Sequence, residues 1–435
     1  MKKPEHSCKN YLSGILLIKM NKHYFFFRLM KHISFLFLSI TLLLPKADSQ
    51  LAAQPLTQRP AIVDASSYSD LQAAFDAVPV SGGLVMIPPG EYEIKKSLVI
   101  STDNTRIQGS GAVSHIINSN ESGEPALIVK SRNPLQWRVE LSNFRVSGNQ
   151  KSGDGIYLEK VQELFITGLS IDHNGQHGIH MHNCTENPRI ANCNLTYNAQ
   201  AGINIYGGHD IIISANQFEE NQDALRLIDG FNLTMTGNNI DDHLRHGIVI
   251  ENVYGSVISG NMIEECHGAA IILQAPSSPV NRHCYGITIS ANVIAHHLGG
   301  GVELTGAWGC SVSANTFTLV HKHSVFVGPG SGRITISGNN FGNSHGKLVP
   351  NKPDNPWTWD ICSGIILQET SDITISGNSF CGLSGEAVKA DAKCNRILVV
   401  ANLVNDINIS SKVPTPCFDL GDAQNSKIEN NITGK

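Results

Sequence analysis

Short aliphatic segments recur along the chain, each opening with a small residue followed by two aliphatic residues that flank one variable residue. Successive copies lie 22 to 24 residues apart, except for two steps of 31 and 40 residues. Aliphatic residues at alternating positions are typical of β-strands with one buried face. The ten copies begin at Gly155, Gly178, Gly202, Ala224, Gly247, Ala270, Gly301, Ser324, Gly364 and Ala387.

A second column of the repeat is an asparagine that follows a β-like run. Both columns lengthen at the same two places, so we interpret the long steps as loop insertions at residues 275–285 and 342–362. Because Asn tolerates left-handed backbone, the column predicts a hydrogen-bonded ladder inside a turn. Its members are Asn194, Asn216, Asn238, Asn261, Asn292, Asn315, Asn339, Asn378 and Asn402.

A repeat of this length with two or three short strands is typical of a β-solenoid, in which stacked repeats share one core. We therefore expect one parallel β-helix domain over residues 50–435, with about 10–12 coils. Residues 62–110 would form an N-terminal cap and entry strands, and residues 139–433 the coils.

The segment before the repeats has a different pattern. Residues 69–77 combine a capping residue, Asp70, with a helical apolar stripe, so they predict a short helix that covers the open end of the core. A Gly-Gly pair, an apolar strand and the sequence Pro-Pro-Gly-Glu-Tyr follow.

Two sequence features carry a family resemblance. The string DLQAAFDAVPVSGGLVMIPPGEYEI, followed by Gly109-Ser110-Gly111, and the repeats of the form GI-x-I … I-x-I-S-G-N-x-F resemble the pectate-lyase-like superfamily. The first string resembles its rhamnogalacturonase- and epimerase-like N-terminal entry, and the whole resemblance covers about residues 62–433. It implies a right-handed, single-stranded parallel β-helix that binds substrate along one face.

The same resemblance does not choose an activity. The superfamily contains polysaccharide lyases, glycoside hydrolases, uronate epimerases, phage tailspikes and non-catalytic glycan-binding proteins, and a fold by itself does not select one function.

Composition agrees with a β-rich chain. Hydrophobic residues make up 41% and charged residues only 16%, with 40 Gly and 38 Asn. Normal hydrophobicity with low charge excludes a disordered chain and a coiled coil.

The first 49 residues have the composition of a targeting segment. Basic residues at 28 and 31 precede a 12-residue apolar run, and Ala47-Asp48-Ser49 fits signal-peptidase cleavage. The run is too short to span a bilayer as a helix, so we predict a secretory signal at 30–49. The expected location is secreted, periplasmic or cell-surface, with no stable membrane insertion after cleavage; an uncleaved membrane anchor is the alternative.

The chain after residue 49 is acidic, with 24 Lys and Arg against 35 Asp and Glu, a net charge of −11. This charge disfavours nucleic acid as a partner. An acidic polysaccharide remains compatible, provided that its binding site carries local cations.

The chain contains ten Cys residues. Their spacing matches no zinc pattern. We expect most of them to be small buried residues, and Cys184 with Cys193 is the nearest plausible disulfide pair.

The outward positions of the repeated strands predict where chemistry lies. Such positions form columns along the solenoid axis, about 4.8 Å apart between coils. The densest polar patch spans five coils and contains His177, His180, His182, Asn204, Tyr206, Asp223, Arg226, His246 and Glu251.

Six of these residues are candidate catalytic groups. Arg226 can neutralise a uronate carboxylate, His180 or His246 can then remove the adjacent proton, and Tyr206 can donate a proton from the other side. Asp223 can orient the imidazole of His246, or can pair with Glu251 for hydrolysis, which requires two carboxylates. Purely structural interpretations are open too: turn Asp and His residues can satisfy backbone groups, and Arg226 can pair with Glu251 or Asp223.

The remaining candidates are substrate-binding residues. His177, His182 and Asn204 belong to the first patch. A second patch lies near the two insertions, where aromatic side chains suit sugar stacking; its members are Glu303, Trp308, His323, Trp357 and Trp359, with His321 close by. These Trp residues can equally anchor their own loops.

Polygalacturonase-like hydrolases of the superfamily carry N-T-D, D-D and G-H-G in successive coils. The corresponding strings here are Gln200-Ala201-Gly202, Gln222-Asp223-Ala224 and Arg245-His246-Gly247. One acid is absent and the double Asp is single, which weakens the hydrolase interpretation. The epimerase motif D-P-H is absent as well.

No cofactor is required by the sequence. The acidic turns at 241–243 and 264–265 offer carboxylates for Ca²⁺, although a solvated turn is the simpler interpretation. The His residues at 173, 177, 180 and 182 can supply transition-metal ligands.

The sequence therefore favours an exported carbohydrate-active protein that acts on a uronate-containing polysaccharide by β-elimination or epimerisation. A polygalacturonase-like hydrolase and a non-catalytic glycan-binding β-helix are the alternatives.

Overall fold

The protein folds as a stack of coils in which every strand pairs in parallel with its equivalent in the next coil. The computed structural model describes residues 61–275, 283–342, 354–355, 357, 361–407 and 415–434. The predicted signal segment, Trp359 and most of both insertions lie outside these residues.

Each coil contributes strands to three faces, which we call A, B and C in the order in which the chain visits them. Faces A and B are joined through their corner pairings into one sheet of 30 strands, and face C is a separate sheet of 14 strands.

Face A carries the ten repeats predicted from the sequence. Its strands are Leu98–Ile100, Leu127–Val129, Ile156–Glu159, Ile179–His182, Ala201–Tyr206, Asp223–Phe231, His246–Tyr254, Ile271–Gln274, Val302–Thr305, His323–Val327, Ser363–Leu367, Val388–Ala390 and Phe418–Asp419.

Face B follows at the next side of each coil. Its strands are Ala61–Asp64, Gly83–Met86, Thr105–Gln108, Glu140–Ser142, Phe165–Thr167, Arg189–Ala191, Ile212–Ser214, Thr234–Thr236, Val257–Ser259, Thr288–Ser290, Ser311–Ser313, Gly332–Ser337, Ser371–Ser376, Asn395–Val400 and Lys427–Glu429. The short strands Cys284–Tyr285 and Ala307–Trp308 extend the corner between faces A and B. Gln136–Trp137 and Val161–Gln162 form a separate pair there.

Face C completes each coil. Its strands are Gly90–Ile94, Ser114–Asn118, Arg145–Ser147, Ser170–Asp172, Asn194–Thr196, Gln217–Glu219, Asn239–Asp241, Met262–Glu264, Val293–His297, Thr316–Val320, Asn340–Gly342, Ser379–Cys381, Leu403–Asn405 and Ile432–Thr433. Fourteen strands exceed the expected 10–12 coils, because the expected number omitted coils of the entry segment.

The core is one continuous column of aliphatic side chains. Equivalent positions such as Ile156, Ile179 and Ile203 are each completely buried and stack on one another. No single coil can bury this surface, so adjacent coils stabilise each other through it.

The Asn ladder runs through the buried corner between faces B and C, from Asn216 to Asn431. Each side-chain amide donates to the next carbonyl, as from Asn292 Nδ2 to Asn315 Oδ1 at 3.0 Å. Asn194 is the exception to the predicted column. It lies in a face C strand opposite Gln217, and the backbone N–H of Cys193 donates to Asn216 Oδ1 instead.

A second buried ladder, not predicted, occupies the corner between faces C and A. Asn174 donates to Asn198, and Asn198 donates to Asn221, each at 2.9 Å. The column continues with the fully buried His243, whose Nδ1 donates to the Asn221 carbonyl, and then with Cys266, whose backbone N–H donates to Nδ1 of the fully buried His297.

The predicted capping helix is present as Leu71–Asp76, after the 3-10 turn Ala65–Ser67. The Asp70 side chain accepts from the Ala73 N–H at 2.8 Å. Leu71 and Phe75 are buried at the end of the core.

Most of the described cysteines are buried, as predicted, and all nine are thiols. The plausible pair Cys184 and Cys193 therefore does not form a disulfide. The two residues lie at different corners, where Cys184 donates to the Leu158 carbonyl and Cys193 to the Ala191 carbonyl.

Candidate functional site

The outward columns of face A have the register that the repeats predicted. Tyr157, His180, Asn204 and Arg226 are direct neighbours in successive coils. Glu159, His182 and Tyr206 form the next column. The strand entries Asp223 and His246 are adjacent too.

A buried carboxylate, Asp154, organises the first histidines of this surface. Its Oδ2 accepts from His180 Nδ1 at 3.0 Å, and its Oδ1 accepts from the His177 backbone N–H at 2.9 Å. Asp154 was not among the candidates, because the interaction crosses diagonally between columns. The sequence did contain a signal for Asp154, because it directly precedes a repeated strand segment, as the candidates His177 and Asp223 do.

His177 and His180 present different nitrogens. His177 Nδ1 accepts from the Ala201 N–H at 3.1 Å, so its neutral ring carries the proton on Nε2. Burial lowers the pKa of His177 to about 4 and keeps the ring neutral. His180 donates its Nδ1 proton to Asp154, which leaves the Nε2 lone pair for a reacting proton.

Arg226 is a half-buried cation that lacks a partner. Its Nε is inaccessible to solvent and makes no hydrogen bond. Among the described residues it forms no ion pair either, so the alternative interpretation, a pair with Asp223 or Glu251, does not hold. Its positive charge reaches His177, whose pKa it lowers further.

Asp223 pairs with Arg245, a residue that the sequence analysis missed. Arg245 Nε donates to Asp223 Oδ1 at 2.9 Å, and its Nη2 donates to Oδ2. Asp223 is fully buried and also accepts the His246 N–H at 3.1 Å. Both oxygens of this carboxylate therefore already accept hydrogen bonds from the protein. No sequence pattern distinguished Arg245 from an exposed turn residue.

His246 repeats the arrangement of His177. Its Nδ1 accepts from the Ala269 N–H at 3.0 Å, and burial lowers its pKa. The neutral ring therefore offers an Nε2–H donor to the face rather than a lone pair.

Two tyrosines lie beside the histidines. Tyr157 contacts His180 edge to face at 5.3 Å between ring centroids, and burial, followed by Glu159, raises its pKa. Tyr206 is exposed and stacks on His182 at 5.5 Å. Asn204 lies between His180 and Arg226 and is largely buried.

The second predicted patch does not assemble as one surface. Glu303 accepts from His323 at 3.1 Å, and this bond lowers the pKa of Glu303. Trp308 lies at the corner between faces A and B, with the Arg333 guanidinium over its ring at 5.5 Å. Trp357 lies at the opposite corner, where its ring contacts His267.

Three clusters of described residues bring ligand-type atoms together. In the cluster Asp154, His177 and His180, the His177 lone pair is already used by a backbone N–H, so the donors do not fit a metal ion.

The acidic turns form the other two clusters, which are Asp241, Asp242 and Glu265, and Glu264, Glu265 and His296. Burial and the Asp242 charge raise the pKa of Glu265 to about 7, so partial protonation relieves the repulsion without a cation. His173 pairs with Asp172 at 2.8 Å and stacks on Tyr197. It is not part of the imidazole group on face A.

Comparison with known families identifies the fold. Residues 128–281 and 255–433 match the family described as right handed beta helix region. The chain belongs to this β-helix family. A search of the curated proteins gives no match.

Several solved structures share the β-helix fold. The mannuronan C-5 epimerase AlgE6 A-module of Azotobacter vinelandii has a TM-score of 0.56 at 14% identity, covering 86% of this chain and 99% of that one. The DFA-IIIase of Arthrobacter chlorophenolicus A6 has a TM-score of 0.52 at 13% identity, with 78% and 94% covered. The family 28 exopolygalacturonase of Yersinia enterocolitica has a TM-score of 0.51 at 10% identity, with 86% and 79% covered.

Within the described part of the chain, no helix has the length and apolar character needed to cross a membrane.

Proposed function

We propose that this β-helix protein acts on a uronate-containing polysaccharide by removing the proton next to the uronate carboxylate. The observation that carries the proposal is the unpaired guanidinium of Arg226, two coils along the same outward column from His180. A cation without a carboxylate partner on an otherwise acidic protein favours an anionic ligand.

The chemistry follows from this arrangement. A proton next to a carboxylate is weakly acidic until the negative charge is neutralised, which Arg226 would do with paired hydrogen bonds. His180 Nε2 would then accept the proton, while Asp154 holds the ring through Nδ1 and stabilises the imidazolium that forms. His246, with its lone pair used by Ala269, would serve as a hydrogen-bond donor.

The step after proton removal decides the product. In β-elimination the bond to the leaving oxygen breaks, a double bond forms in the sugar ring, and a tyrosine proton passes to the leaving oxygen. In epimerisation a tyrosine returns a proton to the same carbon from the opposite face. Tyr157, which contacts His180, and Tyr206, which stacks on His182 in the next column, are the available donors.

Hydrolysis has less support from the geometry. The predicted pair requires Asp223, whose two oxygens are bound by Arg245 and by the His246 N–H. An acid held in this way cannot donate a proton to a glycosidic oxygen.

The structural neighbours agree with a glycan ligand, since those named above include an epimerase of mannuronan and an exopolygalacturonase. The signal segment expected at residues 30–49 leads us to propose an exported protein as well.

The decisive experiment offers pectate, alginate and glycosaminoglycans to the purified protein. β-Elimination creates unsaturated products that absorb in the ultraviolet, and epimerisation in D₂O incorporates deuterium at the reacting carbon. We expect one of these signals, and we expect His180→Ala to lower its rate by about 100-fold or more.

Arg189→Gln serves as the control variant, because Arg189 is exposed on face B, and its rate should equal that of the unchanged protein. Glycan binding without either signal, and unchanged by His180→Ala, would show a binding protein instead and would end the catalytic proposal.

A further inference from the structure

A cavity of about 390 Å³ opens at the corner between faces A and B, between the coils that lie three and two steps before the coil of Asn204. Its polar lining includes Lys130, Arg132, Gln136, Glu159 and Lys160. None of these residues was a candidate in the sequence analysis. Lys130, Arg132 and Gln136 precede the first recognised repeat, and Glu159 and Lys160 lie where a face A strand ends.

The cavity carries an excess of positive charge. Lys130 is neutralised by Glu159, with 2.6 Å between Nζ and Oε2. Arg132 and Lys160 form no ion pair within the described parts of the chain, so two cationic groups remain for a ligand. In a protein whose mature chain is strongly acidic, such a local excess is unusual.

The side chain of Gln136 holds the wall of the cavity in place. The Gln136 side chain is completely buried, and its Nε2 donates to the Ile100 and Thr102 carbonyls. Its Oε1 accepts no hydrogen bond. Because this oxygen is inaccessible to solvent, a ligand does not reach it, and Gln136 forms part of the cavity wall.

The cavity is continuous with the candidate site. Lys130 follows the face A strand Leu127–Val129, whose register continues directly into the strands of Tyr157 and His180. Four coil steps separate its strand from that of Arg226, which corresponds to about 19 Å along the axis. An extended sugar chain that lies along face A can therefore contact both places.

We propose that this cavity binds the acidic group of a second sugar in the same polysaccharide chain, several units away from the sugar at Arg226. Arg132 and Lys160 bind the anionic group. The assignment rests on the proposed glycan function. A carboxylate and a sulfate ester share the required chemistry.

Isothermal titration calorimetry with the full chain tests the assignment. The probes are uronate oligosaccharides of increasing length, sulfated oligosaccharides of matching length and neutral ones. For chains long enough to span both places, we expect R132Q/K160Q to weaken binding by about ten-fold or more, which corresponds to about 1.4 kcal/mol. Short oligosaccharides should bind the variant and the unchanged protein equally.

Arg189→Gln is the matched control, because Arg189 is an exposed cation on face B. Circular dichroism checks that each variant is folded. The acidic class whose affinity falls in R132Q/K160Q, carboxylated or sulfated, identifies the group that the cavity binds.

The two proposals can fail separately. If R132Q/K160Q binds long acidic chains as tightly as the unchanged protein while His180→Ala abolishes turnover, the cavity assignment is wrong and the catalytic proposal stands. If no substrate is turned over but long acidic chains still require Arg132 and Lys160, the cavity assignment stands alone.

Discussion

Two arginines on neighbouring coils of face A illustrate how the same residue type serves two purposes. Arg245 neutralises a buried carboxylate, whereas Arg226 has no partner among the described residues. The first contributes to stability, because removing it would leave Asp223 charged in the interior. The second contributes little to stability and is available for a ligand.

Arg245→Gln should therefore lower the free energy of unfolding by about 3 kcal/mol, while Arg226→Gln should change it by less than about 0.5 kcal/mol. Urea unfolding of both variants measures the difference. Equal losses in the two variants would contradict the assignment of Arg226 to ligand binding.

Asp154→Asn tests the orientation of His180. The amide cannot stabilise the imidazolium as the carboxylate does, so we expect kcat to fall by about ten-fold or more, with a smaller change in KM. A stopped assay over a pH range gives the values. Unchanged kcat with reduced stability would assign Asp154 a purely structural role.

At this scale the sequence predicted which side chains face outward but not which of them pair. Alternation within a strand fixes the side of the sheet, and the repeat fixes the coil. Pairs such as Asp154 with His180 or Asp223 with Arg245 depend on side-chain conformation across coils, which no spacing in one sequence reveals.

At the scale of single elements, the asparagine ladder holds consecutive corners together. Asn315 donates to Asn339 Oδ1 and to the Ile289 carbonyl, and its Oδ1 accepts from Asn292. Removal of this side chain would leave several buried groups without partners.

Asn315→Ala should destabilise the protein by about 3 kcal/mol, as measured by chemical denaturation. Asn194→Ala is the matched control, since Asn194 is exposed on face C and should cost less than about 0.5 kcal/mol. A large effect at Asn194 would contradict the register described above.

Buried histidines predict how stability depends on pH. Burial lowers the pKa of His177 and His243 to about 4 and that of His297 to about 3. Unfolded histidine titrates near 6.5, so the unfolded chain binds more protons as the pH falls from 6.5 to 4, and this contribution to stability is lost over that window. Glu265, with its raised pKa, acts in the opposite direction between pH 7 and 4.5.

Unfolding experiments at pH 7 and pH 5 should therefore show a smaller loss of stability in His243→Asn than in the unchanged protein. Asparagine occupies the equivalent ladder position at Asn221 and does not titrate. An unchanged pH dependence would contradict the neutral state of His243.

The predicted asparagine occupies the ladder position in eight coils. In the ninth, the ladder position belongs to Cys193, the residue before the predicted Asn194. Cys193 and Asn194 are adjacent, and a residue-type pattern selects the asparagine. Hydrogen bonding selects the position that points inward, which Cys193 occupies through its backbone N–H. The second ladder escaped prediction because it changes residue type from Asn to His along the axis.

For the whole molecule, the capping helix closes an otherwise open apolar column. Phe75 is 5% exposed and Val80, just beyond the helix, is 95% exposed. We expect Phe75→Asp to destabilise the N-terminal coils and promote association through unpaired strands, while Val80→Asp has no such effect. Size-exclusion chromatography with light scattering distinguishes the two, and monomeric behaviour of both variants would contradict a capping role.

The overall fold was predictable because many repeats show the same alternation of buried and exposed positions. Each coil repeats the same alternation, so errors at single positions average out. The candidate site occurs once and depends on residues that depart from the repeat, which is why its columns were correct while Arg245, Asp154 and the cavity at Lys160 were missed.

The two long steps of the repeat leave the pairing of face A intact. Ile271 still faces Val302 across the first insertion, and His323 faces Ser363 across the second. Loop exchange at these corners can therefore proceed during evolution without renewed selection on folding. Insertions or deletions within either segment should therefore leave the parallel pairing of the neighbouring face A strands unchanged.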